Sequence, residues 1–383
     1  MPPKAIYVHI PFCANKCHYC DFTSYVVNGQ PVNDYLDALA LEMEKATARV
    51  KPEQIATIYI GGGTPTVLNP SQMEKLLQDL RFYFPDRSED LEFTVEANPG
   101  TTTPELLSVM HEGGVNRISF GAQTFRQDLL KKIGRIHGAE EIGESVELAR
   151  KAGFENISLD LMFGLPEQTT DDVKRSLSEA VSLEPAHFSC YSLKVEEGTR
   201  FYDLQQQNRL VLPSEDEELE MYQWTRSFLR EKGYMQYEIS NFARPGRESR
   251  HNLTYWLNEE YYGFGTGAHG YVDRVRYANV KGIKEYIYQI RNGFLPVEES
   301  CVVSIREDME NFMILGLRLL QGVKRSRFLQ RYGVEAGEIF ATALKNLQQK
   351  NLLAVDKDWI RLTEQGLLFG NHVFASFLGS VEL

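Results

Sequence analysis

Cysteine, tryptophan and long apolar runs are all scarce in this chain of 383 residues, which has five cysteines and three tryptophans. No stretch of about 18 apolar residues occurs, so no membrane-spanning helix is expected. The start, Met1-Pro-Pro-Lys-Ala-Ile-Tyr-Val-His9, lacks the charged, apolar and small-residue regions of a secretory signal, and a cytoplasmic location is expected. Three of the cysteines are clustered, which does not suit a disulfide framework. In a reducing compartment such clusters bind metal or carry redox chemistry. A long basic block is also missing, and the net charge is −12. Nucleic-acid binding needs cations to displace counterions, so no nucleic-acid partner is expected. What remains, 43% hydrophobic and 25% charged, is the balance of a globular protein with room for more than one domain.

The clustered cysteines are Cys13, Cys17 and Cys20, in His9-Ile-Pro-Phe-Cys13-Ala-Asn-Lys-Cys17-His-Tyr-Cys20-Asp-Phe22. Three thiolates can hold three irons of a four-iron cluster and leave the fourth open to bind a small molecule. Iron–sulfur clusters normally take four cysteines. A structural zinc also takes four ligands, so the spacing alone admits zinc with His9 or His18 completing the set. The isolated Cys190 and Cys301 read as small buried hydrophobes.

From Ala5 to about Leu193, short β-branched runs alternate with longer amphipathic ones. The pattern predicts strands at Ala5–Ile10, Ile55–Ile60, Leu91–Glu96, Arg117–Phe120, Ile157–Met162 and Phe188–Leu193. Helices are expected between them, near Val32–Val50, Ser71–Phe84, Pro104–Glu112, Ala139–Ala152 and Asp171–Leu183. This alternation argues for a parallel α/β sheet, and six strands are too few for the closed eight-stranded barrel, so an open or partial barrel is expected. Working residues gather where strands of such sheets end. Here the strand ends carry the cysteine loop, Gly61-Gly62-Gly63-Thr64-Pro65, Glu96-Ala-Asn98-Pro99, Gly121-Ala-Gln123, and Asp160 followed by Gly164-Leu-Pro166. Three regions follow: a partial barrel over 1–201, an aromatic-rich extension covering it over 202–300, and a C-terminal α+β domain over 301–383. The last, with helices at Glu307–Leu320, Lys324–Tyr332 and Ala336–Lys350, a hairpin (Leu352–Val355, Trp359–Leu362) and a helix at Glu364–Leu378, has a winged-helix-like pattern. Its near-neutral charge favours packing or partner docking over DNA binding.

The cysteine loop after a first strand resembles the radical S-adenosylmethionine (SAM) superfamily. There three cysteines hold a [4Fe–4S] cluster whose open iron binds SAM. His9-Ile-Pro-Phe-Cys13 with Tyr19-Cys20-Asp21-Phe22 is similar to the oxygen-independent coproporphyrinogen III oxidase group, and within it to the HemW-type haem chaperone branch. Asn116-Arg-Ile-Ser-Phe-Gly-Ala-Gln123, Asp160-Leu-Met-Phe-Gly-Leu-Pro166, Tyr237-Glu-Ile-Ser-Asn-Phe242 and Gly263-Phe-Gly-Thr-Gly-Ala-His269 extend the resemblance over nearly the whole chain. It implies cluster ligation by Cys13, Cys17 and Cys20. It also implies SAM contacts from Tyr7, Tyr19, Gly62, Gly63, Thr64, Glu96, Gln123, Arg135 and Asp160. Lys194 stands where the oxidase branch has a small residue, which reads against a second SAM.

Two functions from different classes follow from the resemblance. One is radical decarboxylation of coproporphyrinogen III; the other is haem binding and delivery to acceptor proteins. Phe22 stands where the oxidase has a further cysteine, and the oxidase's N-terminal extension has no counterpart before Ala5. His251-Asn252-Leu-Thr-Tyr255-Trp256 matches the HNxxYW motif of the chaperone branch. The chaperone is therefore the expected function, with His251, Tyr255 and Trp256 as candidate haem-binding residues. Imidazole is a common haem ligand, and aromatic rings can pack a flat macrocycle. Respiratory haem proteins at the membrane are the implied acceptors, and a homodimer is left open. A radical-SAM enzyme acting on an unrelated substrate is the third reading.

Overall fold

A computed structural model describes residues 3–381. Six parallel strands, β1 (Ala5–Ile10), β2 (Ile55–Gly62), β3 (Arg87–Ala97), β4 (Arg117–Gln123), β5 (Asn156–Phe163) and β6 (His187–Ser192), alternate with helices as the pattern predicts. The expected bounds are met within a few residues, most closely at Ala5–Ile10 and Pro104–Glu112. Helix starts are encoded locally. Asn69 accepts from Gln72 N–H and is followed by Pro70, whose fixed φ suits a first helical position. Thr103 and Thr169 cap two further helices in the same way.

Three short strands of the extension enlarge this sheet: β7 (Met235–Gln236), β8 (Asn241–Ala243) and β9 (Tyr262–Phe264). The order is β9-β1-β2-β3-β4-β5-β6-β8-β7. β9 runs parallel to β1, while β8 runs antiparallel to β6. The sheet is therefore an α/β open barrel, and segment 202–300 completes both of its edges instead of only covering it.

The two faces of the sheet differ sharply. Ile6, Val8 and Ile10 of β1, Ile58 and Ile60 of β2, and Phe93 and Val95 of β3 point outward and pack on helix stripes such as Leu36, Leu39 and Met43. Each such side chain contributes about 1.5–3 kcal/mol on burial. Alternate positions face inward and are polar: His9, Thr57, Thr94, Arg117, Ser119, Ser158, His187 and Ser189, all buried. Parallel strands covered on both faces normally read as continuous apolar runs. A polar inner face marks an interior kept for chemistry.

A second three-stranded sheet, β10 (His269–Val272), β11 (Val275–Asn279) and β12 (Val297–Val302), follows. β12 is an exposed edge and carries Cys301, which is exposed and not buried as the composition led us to expect. Cys190 is buried. The C-terminal domain has its own core around Phe312, Phe328, Phe340 and Ile360. Its sheet, β13 (Val323–Lys324), β14 (Leu353–Val355) and β15 (Trp359–Leu362), has the order β13-β15-β14. The helix expected over Ala336–Lys350 breaks at Phe340, whose φ of −114° and ψ of 27° send a fully buried ring into that core. The helix expected over Glu364–Leu378 breaks likewise at Phe369.

Candidate cofactor site at the open end of the sheet

The carboxyl ends of β1–β5 converge on a cavity of about 1350 Å³ that reaches the C-terminal domain. A smaller cleft of about 370 Å³ within that domain has Lys350 as its sole ionisable lining residue among the described residues. Cys13, Cys17 and Cys20 line the large cavity together with Tyr19, Gly62, Gly63, Thr64, Glu96, Gln123, Arg135 and Asp160. Of the residues the sequence assigned to the cluster and SAM, only Tyr7 is absent from this lining. Its hydroxyl bonds His9 Nδ1 at 2.9 Å, deeper in the barrel.

The cysteine loop is fastened by backbone geometry. Phe12–Cys13 pairs with Tyr25–Val26, and Gly63 N–H and Thr64 N–H donate to Ile10 O and Phe12 O at 2.8 and 2.7 Å. A Cβ on Gly63 would lie 2.6 Å from Phe12 O and 3.0 Å from Cys13 Sγ. Gly62 has φ +110°, and a Cβ there would meet the His9 ring at 2.5 Å. These positions need glycine, the first for close approach and the second for its backbone conformation.

A hydrogen-bonded arc joins the strand ends to the cysteines. Thr64 Oγ1 lies 3.7 Å from Cys13 Sγ and accepts from Asn98 Nδ2 at 2.9 Å. Arg135 donates to Asn98 Oδ1 at 2.9 Å, to Cys17 Sγ at 3.4 Å and to Gly121 O. Asn98 thus couples two groups that touch different cysteines, a role the sequence did not single out. Its only signal was its place two residues beyond Glu96 at a strand end.

The site's charges fit the cofactor set. Burial pushes Glu96 up to about 7, aided by nearby Asp160, although Tyr59 donates to it at 2.6 Å and Gly62 N–H at 3.1 Å. Burial also raises Asp160, and raises the Cys13 and Cys20 thiols. Buried carboxyls and thiols of this kind favour an incoming cation, and thiols release protons to metal. Arg135 keeps a buried Nε without a partner, suited to a carboxylate. SAM carries both signs. A single zinc ion fits poorly. Among the described residues no three His, Cys, Asp or Glu side chains are gathered closely enough for one ion. His9 Nε2 is bonded to Thr23 O, and His18 is held by Lys132 O and Arg200, so neither completes a zinc set.

The HNxxYW residues lie elsewhere. Helix Arg250–Trp256 closes the floor of the barrel, with Glu92 accepting from Arg250 N–H and His251 N–H, each at 2.9 Å. His251 is fully buried; Nδ1 meets Thr57 Oγ1 at 2.9 Å and Nε2 meets Tyr255 OH at 2.8 Å. Its ring stacks on Tyr59 at 5.1 Å. Both ring nitrogens of this candidate haem-binding residue are thus engaged inside the barrel, and neither lone pair is open. Tyr255 is tied to His251, and the indole of Trp256 packs on Arg318.

A model of the Radical SAM superfamily matches residues 7–180, and one of the HemN C-terminal domain matches residues 303–369. Fold and cysteine loop together define the radical SAM class, whose members carry a [4Fe–4S] cluster and SAM. The chain belongs more narrowly to the HemW family. It is 48% identical to heme chaperone HemW of Bacillus subtilis, covering 99% of this chain and 100% of that protein. It is 34% identical to heme chaperone HemW of Escherichia coli, covering 99% of each. The solved structure of E. coli coproporphyrinogen III oxidase HemN, described as a radical SAM enzyme, is similar with a TM-score of 0.86 at 26% identity, over 98% of this chain and 90% of that one.

Proposed function

We propose that this protein is a haem chaperone that carries a [4Fe–4S] cluster on Cys13, Cys17 and Cys20, binds SAM beside it, and delivers haem to acceptor proteins. The observation that carries the reading is end-to-end similarity to proteins named heme chaperone HemW, joined to an accessible cavity beside the cysteines. The cavity exceeds the ~300–1,000 Å³ of ordinary small-molecule sites, which leaves room for a second ligand beside SAM. Bound, the cluster supplies an open iron position and a reducing electron. The chain's own residues bind and orient: Gly62 and Gly63 let the strand end pack against the cysteine loop, Arg135 takes a carboxylate, and Glu96 and Asp160 accept from cationic or hydroxyl groups. Acceptors that are respiratory haem proteins bring the chaperone to the membrane surface; among the described residues no helix is long and apolar enough to cross it.

The oxidase reading draws support from the HemN likeness. Against it, Phe22 is 64% exposed at the cavity where a further cysteine stands in the oxidase. A paired assay on anaerobically reconstituted protein decides. Haem should produce a Soret band, coproporphyrinogen III should not turn over, and iron and sulfide should each reach roughly four per chain. Replacing the three cysteines by Ala should abolish the iron. Turnover without haem binding refutes the chaperone, and stoichiometric zinc refutes the cluster.

A further inference from the structure

The cavity has an amphipathic character that the cluster and SAM do not account for. Phe22, Tyr191, Leu368 and Phe369 are 64%, 40%, 42% and 53% exposed, and all four line it. Large apolar groups exposed together around one cavity mark a binding surface for an apolar body.

Arg318 lines the same cavity, just beyond the helix Ile305–Gly316. Its guanidinium lies 4.3 Å from the Trp256 ring and 5.9 Å from the Phe374 ring. Among the described residues it joins no ion pair or side-chain hydrogen bond, and its Nε is buried without a partner. Its acidic neighbour Glu238 accepts through Oε1 from Ser240 N–H at 3.0 Å and Asn241 Nδ2 at 2.5 Å, while among the described residues its Oε2 is buried without a hydrogen-bond partner and makes no ion pair with the arginine. An arginine fixed between rings with its fork free is pre-organised for bidentate carboxylate binding. Glu215, Asp216 and Glu218 also line the cavity, so a carboxylate is held there by local contact and not by a general positive field.

We propose that Arg318 anchors a carboxylate of the ligand of this cavity: a propionate of haem, whose macrocycle lies against Phe22, Tyr191, Leu368 and Phe369. This rests on the haem reading above. It also gives the HNxxYW motif a part in haem binding without ligation. Trp256 is a positioning residue that holds the guanidinium, while His251 holds the floor on which Trp256 stands.

The test titrates the full chain, with its cluster reconstituted anaerobically, against haem and haem dimethyl ester, following the Soret band. Wild type should prefer the free acid by about 10- to 100-fold, the range of a charge-assisted hydrogen-bonded pair. Arg318→Met should bind both forms equally, near the wild-type affinity for the ester. Arg318→Lys, which keeps stem and charge, should retain part of the preference and serves where the Met variant does not fold by circular dichroism. Equal wild-type affinity for the two forms, or an undiminished preference in a folded variant, overturns the inference and leaves the haem reading standing. Wild-type protein that binds neither form overturns both.

Discussion

His251→Phe separates a barrel-floor residue from a haem ligand. The phenyl ring can keep the stack on Tyr59 but leaves Thr57 Oγ1 and Tyr255 OH without their partner. Orphaned buried polar groups cost about 1–3 kcal/mol each, so near pH 7.5 the variant should be about 2–6 kcal/mol less stable. The pH dependence carries the sharper signature. Burial, with Arg117 nearby, lowers His251 from 6.5 to about 3. Above pH 6.5 the ring is neutral whether folded or unfolded, and its titration contributes nothing. Below 6.5 the unfolded chain takes up a proton that the folded chain refuses, so wild-type stability falls as pH drops, at about 1.4 kcal/mol per unit, until the folded value near 3 is reached. At pH 5 that loss is about 2 kcal/mol, and His251→Phe lacks it. Urea unfolding of both proteins at pH 7.5 and 5.0 should therefore show the gap shrink by about 2 kcal/mol. A gap that stays constant would refute the burial argument. So would a variant of wild-type stability that has lost its Soret band, the behaviour of an exposed ligand.

Asp308 joins the C-terminal domain to the 202–300 segment: it accepts from Arg331 at 2.9 and 3.1 Å and Tyr332 OH at 2.8 Å within its own domain, and from Asn258 Nδ2 at 2.8 Å across the junction. Asp308→Ala removes the carboxylate and leaves the half-buried arginine only Asn258 O at 3.0 Å, which should cost about 1.5–3 kcal/mol, read by thermal or urea unfolding; a loss under 1 kcal/mol would contradict the role given to this junction. Gly63→Ala forces a Cβ to within 2.6 Å of a backbone oxygen in the cysteine loop. Reconstituted iron should fall well below the wild-type value in a chain that still folds by circular dichroism, and full iron incorporation would show that the loop accommodates the methyl group.

Much of the barrel was legible because its signals are local. Period-2 alternation in Ile55–Ile60 and Arg117–Phe120 sets which side chains meet the helices, and Asn69-Pro70 or Thr103-Pro104 announce helix starts within four residues. The edge strand Tyr262–Phe264 escaped notice: it is three residues long, sits among glycines, and pairs with Ile6–Val8 far away in the chain. Cys301 was misplaced indoors because composition speaks of an average cysteine, whereas this one lies on a sheet edge.

The sequence by itself determined the three-cysteine loop, the glycine cradle behind it and the order of polar strand ends, because each depends on spacing within a few residues. Only the tertiary structure decided where the distant motif sits and what it touches. It folds His251 against Thr57 and under Tyr59, engages both ring nitrogens, and lays Trp256 on Arg318 at the cavity. Burial and partnership across many residues of chain are properties of packing, and packing separates a free imidazole from a satisfied one.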